Sequence, residues 1–330
     1  MIDENPIEPS FENRLDLSLL ADRVATLKSE IAKKLVGQQN LVEMIITGIL
    51  AEGHLLIEGV PGVAKTFTAK LVSKVIGADF SRIQFTPDLM PSDITGTSIF
   101  NPKTTDFEFK QGPIFSNVIL IDEINRAPAK TQAALFECME ERQVTIDGLC
   151  YKLDAPFIVL ATQNPVEHEG TYKLPEAQLD RFLFKIDVDY PSMEEEVRIL
   201  EGVTTQKINS NLDEINVVLT KDELADFRNL VKQIRIESNL INYIVQLVEN
   251  TRKNPDLFLG ASPRASIGIL NASKALAAIR GRDFITPEDI REVTYPVLSH
   301  RVVLTPEREM EGVNTAEIIK EIIEQIEVPR

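Results

Sequence analysis

The feature that most limits the fold is a set of short strand-like runs, at residues 54–58, 81–85, 118–121, 157–162 and 182–188, most of them apolar at successive positions rather than alternating. A strand covered on one face alternates apolar and polar side chains. A parallel strand covered by helices on both faces is apolar along its length. Helical stretches lie between several of the runs, notably 65–76 and 129–141. This strand–helix alternation predicts a three-layer α/β/α core around a parallel sheet. The 330 residues, 43% hydrophobic and 26% charged, have a globular balance and length enough for about two domains.

Ahead of the first run, residues 1–14 carry Pro6, Pro9 and several acids, which reads as a loose arm. Residues 15–35 place Leu20, Val24, Leu27, Ile31 and Leu35 on one helical face, ending at Gly37. Residues 41–50 are apolar nearly all round, so this second helix should be buried. Two stretches read as hairpin insertions. Residues 95–100 and 107–110 flank a turn at 101–106, and 143–146 and 149–153 flank Asp147-Gly148, a pair suited to positive φ. After Tyr190-Pro191 only helices are expected, about four or five of them. Ser192 with Glu195 and Thr220 with Glu223 have capping-box spacing; Ser262-Pro263 and Thr286-Pro287 put an N-cap before a first-turn proline. The division is thus an arm at 1–14, an α/β core at 15–190 with hairpins at about 95–111 and 143–153, and a helical lid at 191–330.

Composition excludes several classes of function. No apolar run approaches the roughly 18 residues that span a bilayer, and the N-terminus has acids where a leader would be basic. A cytoplasmic location is expected. Cys138 and Cys150 form no metal or redox spacing, and His54, His168 and His300 are scattered. A net charge of −16 repels phosphate backbones, which disfavours nucleic acid as a partner.

The chemistry concentrates where strands end. Gly59-Val60-Pro61-Gly62-Val63-Ala64-Lys65-Thr66 follows a predicted strand and opens a predicted helix, the context of a phosphate-binding loop. Main-chain N–H groups of such a loop point at an anion and the helix dipole favours it. Lys65 would neutralise phosphate charge and Thr66 would hold Mg²⁺. Ala64 stands where the GxxxxGK[ST] pattern has glycine, which expects negative φ there. Val118-Ile-Leu-Ile-Asp122-Glu123 ends a second strand in two carboxylates, Asp122 for Mg²⁺ and Glu123 to activate water. Asn164 ends a third strand, where it could contact the γ-phosphate or serve only in an Asn-Pro turn.

With these three features in order, the chain resembles the AAA+ ATPases, and within them the MoxR family. The resemblance runs from Val36-Gly37-Gln38 to His300-Arg301 and rests on GVPGVAKT at 59–66, LIDEINRAP at 120–128, ATQNP from Ala161, LPEAQLDRF at 174–182 and GASPRA at 260–265. It implies that ATP binds between core and lid, against Val36, Gly37 and the loop through Phe67. It implies a γ-phosphate sensor in Asn164, an arginine finger in Arg181 acting on a neighbouring subunit, and a second sensor in Arg264 coupling lid angle to nucleotide. A hexameric ring acting on protein clients, with von Willebrand factor A domain partners, is implied by the family alone. A magnesium-chelatase-like subunit and a DNA-remodelling motor are the alternatives.

Overall fold

The computed structural model describes residues 14–60, 62–164, 172–205 and 211–329. Its main sheet has five strands, numbered here β1 His54–Gly59, β2 Phe80–Gln84, β3 Val118–Asp122, β4 Ile158–Gln163 and β5 Phe182–Val188. Their spatial order is β2-β3-β4-β1-β5 and every pairing is parallel. The expected α/β fold is present. Along β3, Val118 and Leu120 enter one apolar cluster while Ile119 and Ile121 enter the other. That division between two covered faces is why the run is apolar throughout.

Helices Ser18–Ala32, Gln39–Leu50 and Lys65–Val75 contribute to the first cluster, and helix Ala129–Glu141 to the second. Antiparallel pairs form at Gly96–Asn101 with Asp106–Gln111, and at Gln143–Ile146 with Leu149–Lys152. Ser98 Oγ donates to Asp147 Oδ2 at 2.6 Å, joining the two hairpins.

Beyond β5 the described residues form helices Met193–Thr204, Lys221–Lys232, Ser238–Lys253, Pro263–Ile279, Pro287–Leu298, Pro306–Met310 and Thr315–Gln325. Ser192, Thr220 and Thr286 each complete a capping box, satisfying helix N–H groups that have no intrahelical acceptor. The expectation of helices alone is corrected by a small antiparallel pair, Leu257–Leu259 with Val303–Leu304. At two and three residues these strands are too short to leave a period in the sequence.

The helical part does not sit apart from the core. One continuous apolar cluster includes Ile45 and Ile49 of the second helix together with Leu224, Phe227, Ala272 and Leu276. Arg228 donates from Nε and Nη2 to the Ile49 carbonyl at 2.9 and 2.8 Å, and burial lowers its pKa to about 10. Arg301, with 4% of its side chain exposed, pairs through Nε with Asp180 Oδ1 at 2.8 Å. Its other nitrogens donate to the carbonyls of Asp180 and Leu183, each at 3.1 Å, at the entry to β5. A buried arginine needs such complete pairing, since removing one partner of a buried pair costs about 3–5 kcal/mol.

Two histidines serve the core as neutral rings. His54 Nδ1 accepts from the Val159 N–H at 3.0 Å and Nε2 donates to the Met139 carbonyl at 3.2 Å. Burial holds its pKa down at about 4, and burial likewise holds His300 well below its ordinary value. Such a group binds its proton more readily in the unfolded chain. Its contribution is complete above the unfolded value near 6.5 and is lost as pH falls from there towards 4. Between pH 7 and pH 5, His54 alone should remove about 2 kcal/mol of stability. Denaturant titrations at the two pH values check this: the difference should shrink in His54→Asn.

Candidate functional site

All five strands run the same way, so the segments following β1, β3 and β4 emerge at one edge of the sheet. Because β1 lies between β4 and β5, the chain leaves β1 at a switch in strand order, where open α/β sheets leave a crevice. The predicted phosphate loop begins at the last residue of β1, Gly59. A Cβ there would meet the Val188 carbonyl oxygen at 2.6 Å, so this glycine is needed for contact with β5. Gly62 has room around it but φ of +89°, so here the backbone requires glycine. Pro61 lies outside the described residues.

Ala64 corrects the sequence reading. Its φ is +59° and ψ +21°, in the left-handed region, where negative φ was expected. A non-glycine residue there carries about 1–2 kcal/mol of strain. The first bond of the helix runs from the Thr68 N–H to the Ala64 carbonyl at 2.9 Å. The N–H groups of Lys65, Thr66 and Phe67 therefore precede the ladder and head the loop, as anion binding requires. Lys65 Nζ donates back to the Gly59 carbonyl, which holds the ammonium over the loop.

Asp122 and Glu123 end β3 beside it, held in different ways. The Asp122 carboxylate lies 3.4 and 3.5 Å from Thr66 Oγ1, receives Thr162 Oγ1 at 3.3 Å and pairs with Arg82 Nε at 2.5 Å. Glu123 has φ of +59°, pinned by its N–H donating to Thr162 Oγ1 at 3.1 Å. Its Oε2 receives Gln84 Nε2 at 2.8 Å and lies 3.0 Å from Arg126 Nε, at ion-pair distance. Thr162 thus fixes the spacing of the two acids. Asn164 follows β4 with 7% exposure, at the same edge. Sequence reasoning missed Arg82, Gln84, Arg126 and Thr162. Arg82 and Gln84, alternating with Ile83 and Phe85 in a strand-like run, were the available signal.

Val36 and Gly37 line a cavity of about 470 Å³ with Ile31, Leu35, Val42 and Arg198. Gly37 has φ of +72°, and Glu195 Oε1 stands 2.7 Å from where its Cβ would be.

The two arginines singled out in sequence meet on one carboxylate, Glu140. Arg181 Nε lies 3.6 Å from Glu140 Oε2, Nη1 donates to the Phe136 carbonyl, and the guanidinium stands 6.0 Å from the Phe136 ring centre. Arg264 Nη2 pairs with the other oxygen of the same carboxylate, Glu140 Oε1. Among the described residues, neither arginine side chain makes a hydrogen bond or ion pair with the 59–66 loop.

The comparisons with known proteins agree with this layout. Residues 54–184 match the ATPase family associated with various cellular activities, and residues 249–322 match the AAA lid domain. The chain is 44% identical to Chaperone MoxR1 of Mycobacterium tuberculosis, over 94% of this chain and 84% of that protein. The chain belongs to the MoxR family of AAA+ ATPases. Another relative, the uncharacterized protein YeaC of Bacillus subtilis, is 46% identical over 91% of this chain and 92% of its own length. A crystal structure from Cytophaga hutchinsonii, solved as a candidate ATPase, superposes with a TM-score of 0.88 at 42% identity, covering 95% of this chain and 97% of that one. As a MoxR-family member the protein is a nucleotide-binding ATPase of a chaperone family. No helix among the described residues is long and apolar enough to cross a membrane.

The strain at Ala64 is testable in this MoxR-family loop. Ala64→Gly removes the strain but restores about 0.4–1 kcal/mol of unfolded-state entropy, so stability should stay within about 1 kcal/mol of wild type. Ala64→Val, with a β-branched side chain at positive φ, should lose more than 1–2 kcal/mol, by a rough reckoning. Urea denaturation of the three proteins separates these outcomes.

Proposed function

We propose that this MoxR-family ATPase hydrolyses ATP with Mg²⁺ and uses the cycle to remodel or activate protein clients from a homo-oligomeric, hexameric ring in the cytoplasm. The observation that carries the reading is the separation of two adjacent acids into different settings at the head of the loop. Asp122 faces Thr66, while Glu123 is drawn aside by Gln84 and Arg126.

In this reading the loop 59–66 and the Phe67 N–H cradle the phosphates, and Lys65 neutralises their charge. The hard oxygen donors of Thr66 and Asp122 suit Mg²⁺, which commonly takes one or two carboxylates and completes its shell with water and phosphate. When bound, the ion would screen the phosphate charge and orient it. Glu123 takes a proton from water as its oxygen bonds to the γ-phosphorus, while the bond to the β–γ bridging oxygen breaks, releasing ADP and phosphate. Asn164 orients that water or the γ-phosphate. Val36 and Gly37 contact the base, for which the apolar wall of Ile31, Leu35 and Val42 is suitable.

Arg181 acts on the nucleotide of an adjacent copy, and Arg264 joins it there instead of serving as the lid-angle sensor that the family resemblance implied, a reading supported by their shared position on Glu140. Each would stabilise negative charge in the transition state. The division into arm, core and lid at residues 14 and 190 belongs to the same proposal. So does a client presented by a partner with a von Willebrand factor A domain.

Glu123→Gln should bind ATP with unchanged affinity while turnover falls by about 10²–10⁴-fold, because an amide accepts no proton. Phosphate release together with equilibrium binding of a fluorescent ATP analogue checks both halves, and turnover at the wild-type rate would remove Glu123 as the base. Mixing Arg181→Ala with Lys65→Ala should restore part of the activity each lacks alone. Mixed rings without recovery would count against a finger working between subunits.

A further inference from the structure

We propose that Glu140 is a positioning residue that holds Arg181 and Arg264 as one two-guanidinium receptor for the phosphates of an adjacent copy's ATP. The proposal rests on the assignment of those arginines made above.

Glu140 is in the last turn of helix Ala129–Glu141 and is 37% exposed. An acid in that position opposes the helix dipole, so the helix itself does not account for it. Its carboxylate is shared out, Oε2 towards Arg181 and Oε1 to Arg264. Two guanidiniums brought side by side repel, and a carboxylate between them offsets that repulsion while fixing their spacing.

The backbones carrying the arginines are joined by a second carboxylate, next along the chain from Arg181. Asp180 Oδ2 accepts from Ser262 Oγ at 3.0 Å, and Ser262 Oγ in turn accepts from the Arg264 N–H at 3.2 Å. Asp180 Oδ1 holds the buried Arg301. Asp180 therefore sets the start of the Arg264 helix against the Arg181 segment, and Glu140 sets the two side chains. The two arginines depend on Glu140 unequally. Arg181 keeps the Phe136 carbonyl and the Phe136 ring if Glu140 is neutralised, whereas Arg264 has Glu140 as its one ion-pair partner among the described residues.

That inequality supplies the test, made on the full chain by following phosphate release against ATP concentration. Glu140→Gln should lower kcat on the order of tenfold, with affinity for a fluorescent ATP analogue unchanged and an unaltered melting profile. In the Glu140→Gln background, Arg264→Ala should cost almost nothing further, while Arg181→Ala should retain most of its separate cost. Such non-additivity is the signature of residues acting through one another, and general loosening of the fold would not produce it for one arginine alone. Turnover of Glu140→Gln at or above the wild-type rate overturns the proposal, as does an Arg264→Ala loss of equal factor in both backgrounds. If Arg181→Ala and Arg264→Ala each turn over like wild type, the arginine assignment itself fails. A loss in both with none in Glu140→Gln fails this inference alone.

Discussion

The parallel register of the sheet is the constraint on which the rest depends. With β3, β4 and β1 adjacent and aligned, Leu120 pairs with Leu160 and Leu55 also pairs with Leu160, so the strands end nearly level. The residues at and just beyond their ends, Asp122-Glu123, Asn164 and the loop after Gly59, are thereby brought to one edge. Apolar burial on both faces supplies the energy for this arrangement, at about 25 cal/mol per Å² of apolar surface removed from water. The polar groups at the edge have only to be kept apart and correctly aimed. Thr162 does much of this, bonding both to the Glu123 N–H and to the Asp122 carboxylate.

Carboxylates at the edge and beyond it differ according to their company. Asp122 meets two hydroxyls and an arginine, Glu123 an amide and an arginine, Glu140 two arginines, and Asp180 a buried arginine and a serine. The Asp180–Arg301 pair has a mechanical consequence. Pulling the lid from the entry of β5 would strand a buried guanidinium, which is opposed by several kcal/mol. Tyr295 adds a bond from its hydroxyl to Asp187 at 2.6 Å along the same strand. Lid helix Pro287–Leu298 and β5 therefore move together, and a lid that swings freely from the core at this junction is disfavoured.

What the sequence revealed and what it hid follow from range. The central strands β1, β3 and β4 were legible because burial on both faces leaves a local record, a nearly unbroken apolar run, whereas β2, with Ser81, Arg82 and Gln84, left a weaker one. The capping boxes at Ser192 and Thr220 were legible because both members lie within one helical turn, and at Thr286 the N-cap was legible while its box partner Asp289 was not picked out. Hidden features required information from elsewhere in the chain. Gln84 and Arg82 become partners of Glu123 and Asp122 only once β2 lies beside β3. Arg264 and Arg181 are 83 positions apart and share an acid on a third segment, a meeting no spacing could announce. The pairing of Leu257–Leu259 with Val303–Leu304 is likewise too brief for periodicity.

Ala64 was misread for a different reason, since alanine is ordinarily a residue of negative φ. It shares its positive φ with Glu123, each at +59°, one closing the 59–66 loop and the other following β3. Left-handed non-glycine residues persist only where their surroundings over-determine them. For Glu123 the surroundings are the Thr162 hydroxyl on the main chain and Gln84 on the side chain. For Ala64 they are the helix that starts immediately after it and the Gly62 turn before it. Strain of about 1–2 kcal/mol at each point is thus maintained on both sides of the same crevice. The same two positions determine where the loop N–H groups point and where the second carboxylate is held. A chain that relaxed either φ would turn away one of the two groups that, in the function proposed above, converge on a phosphate.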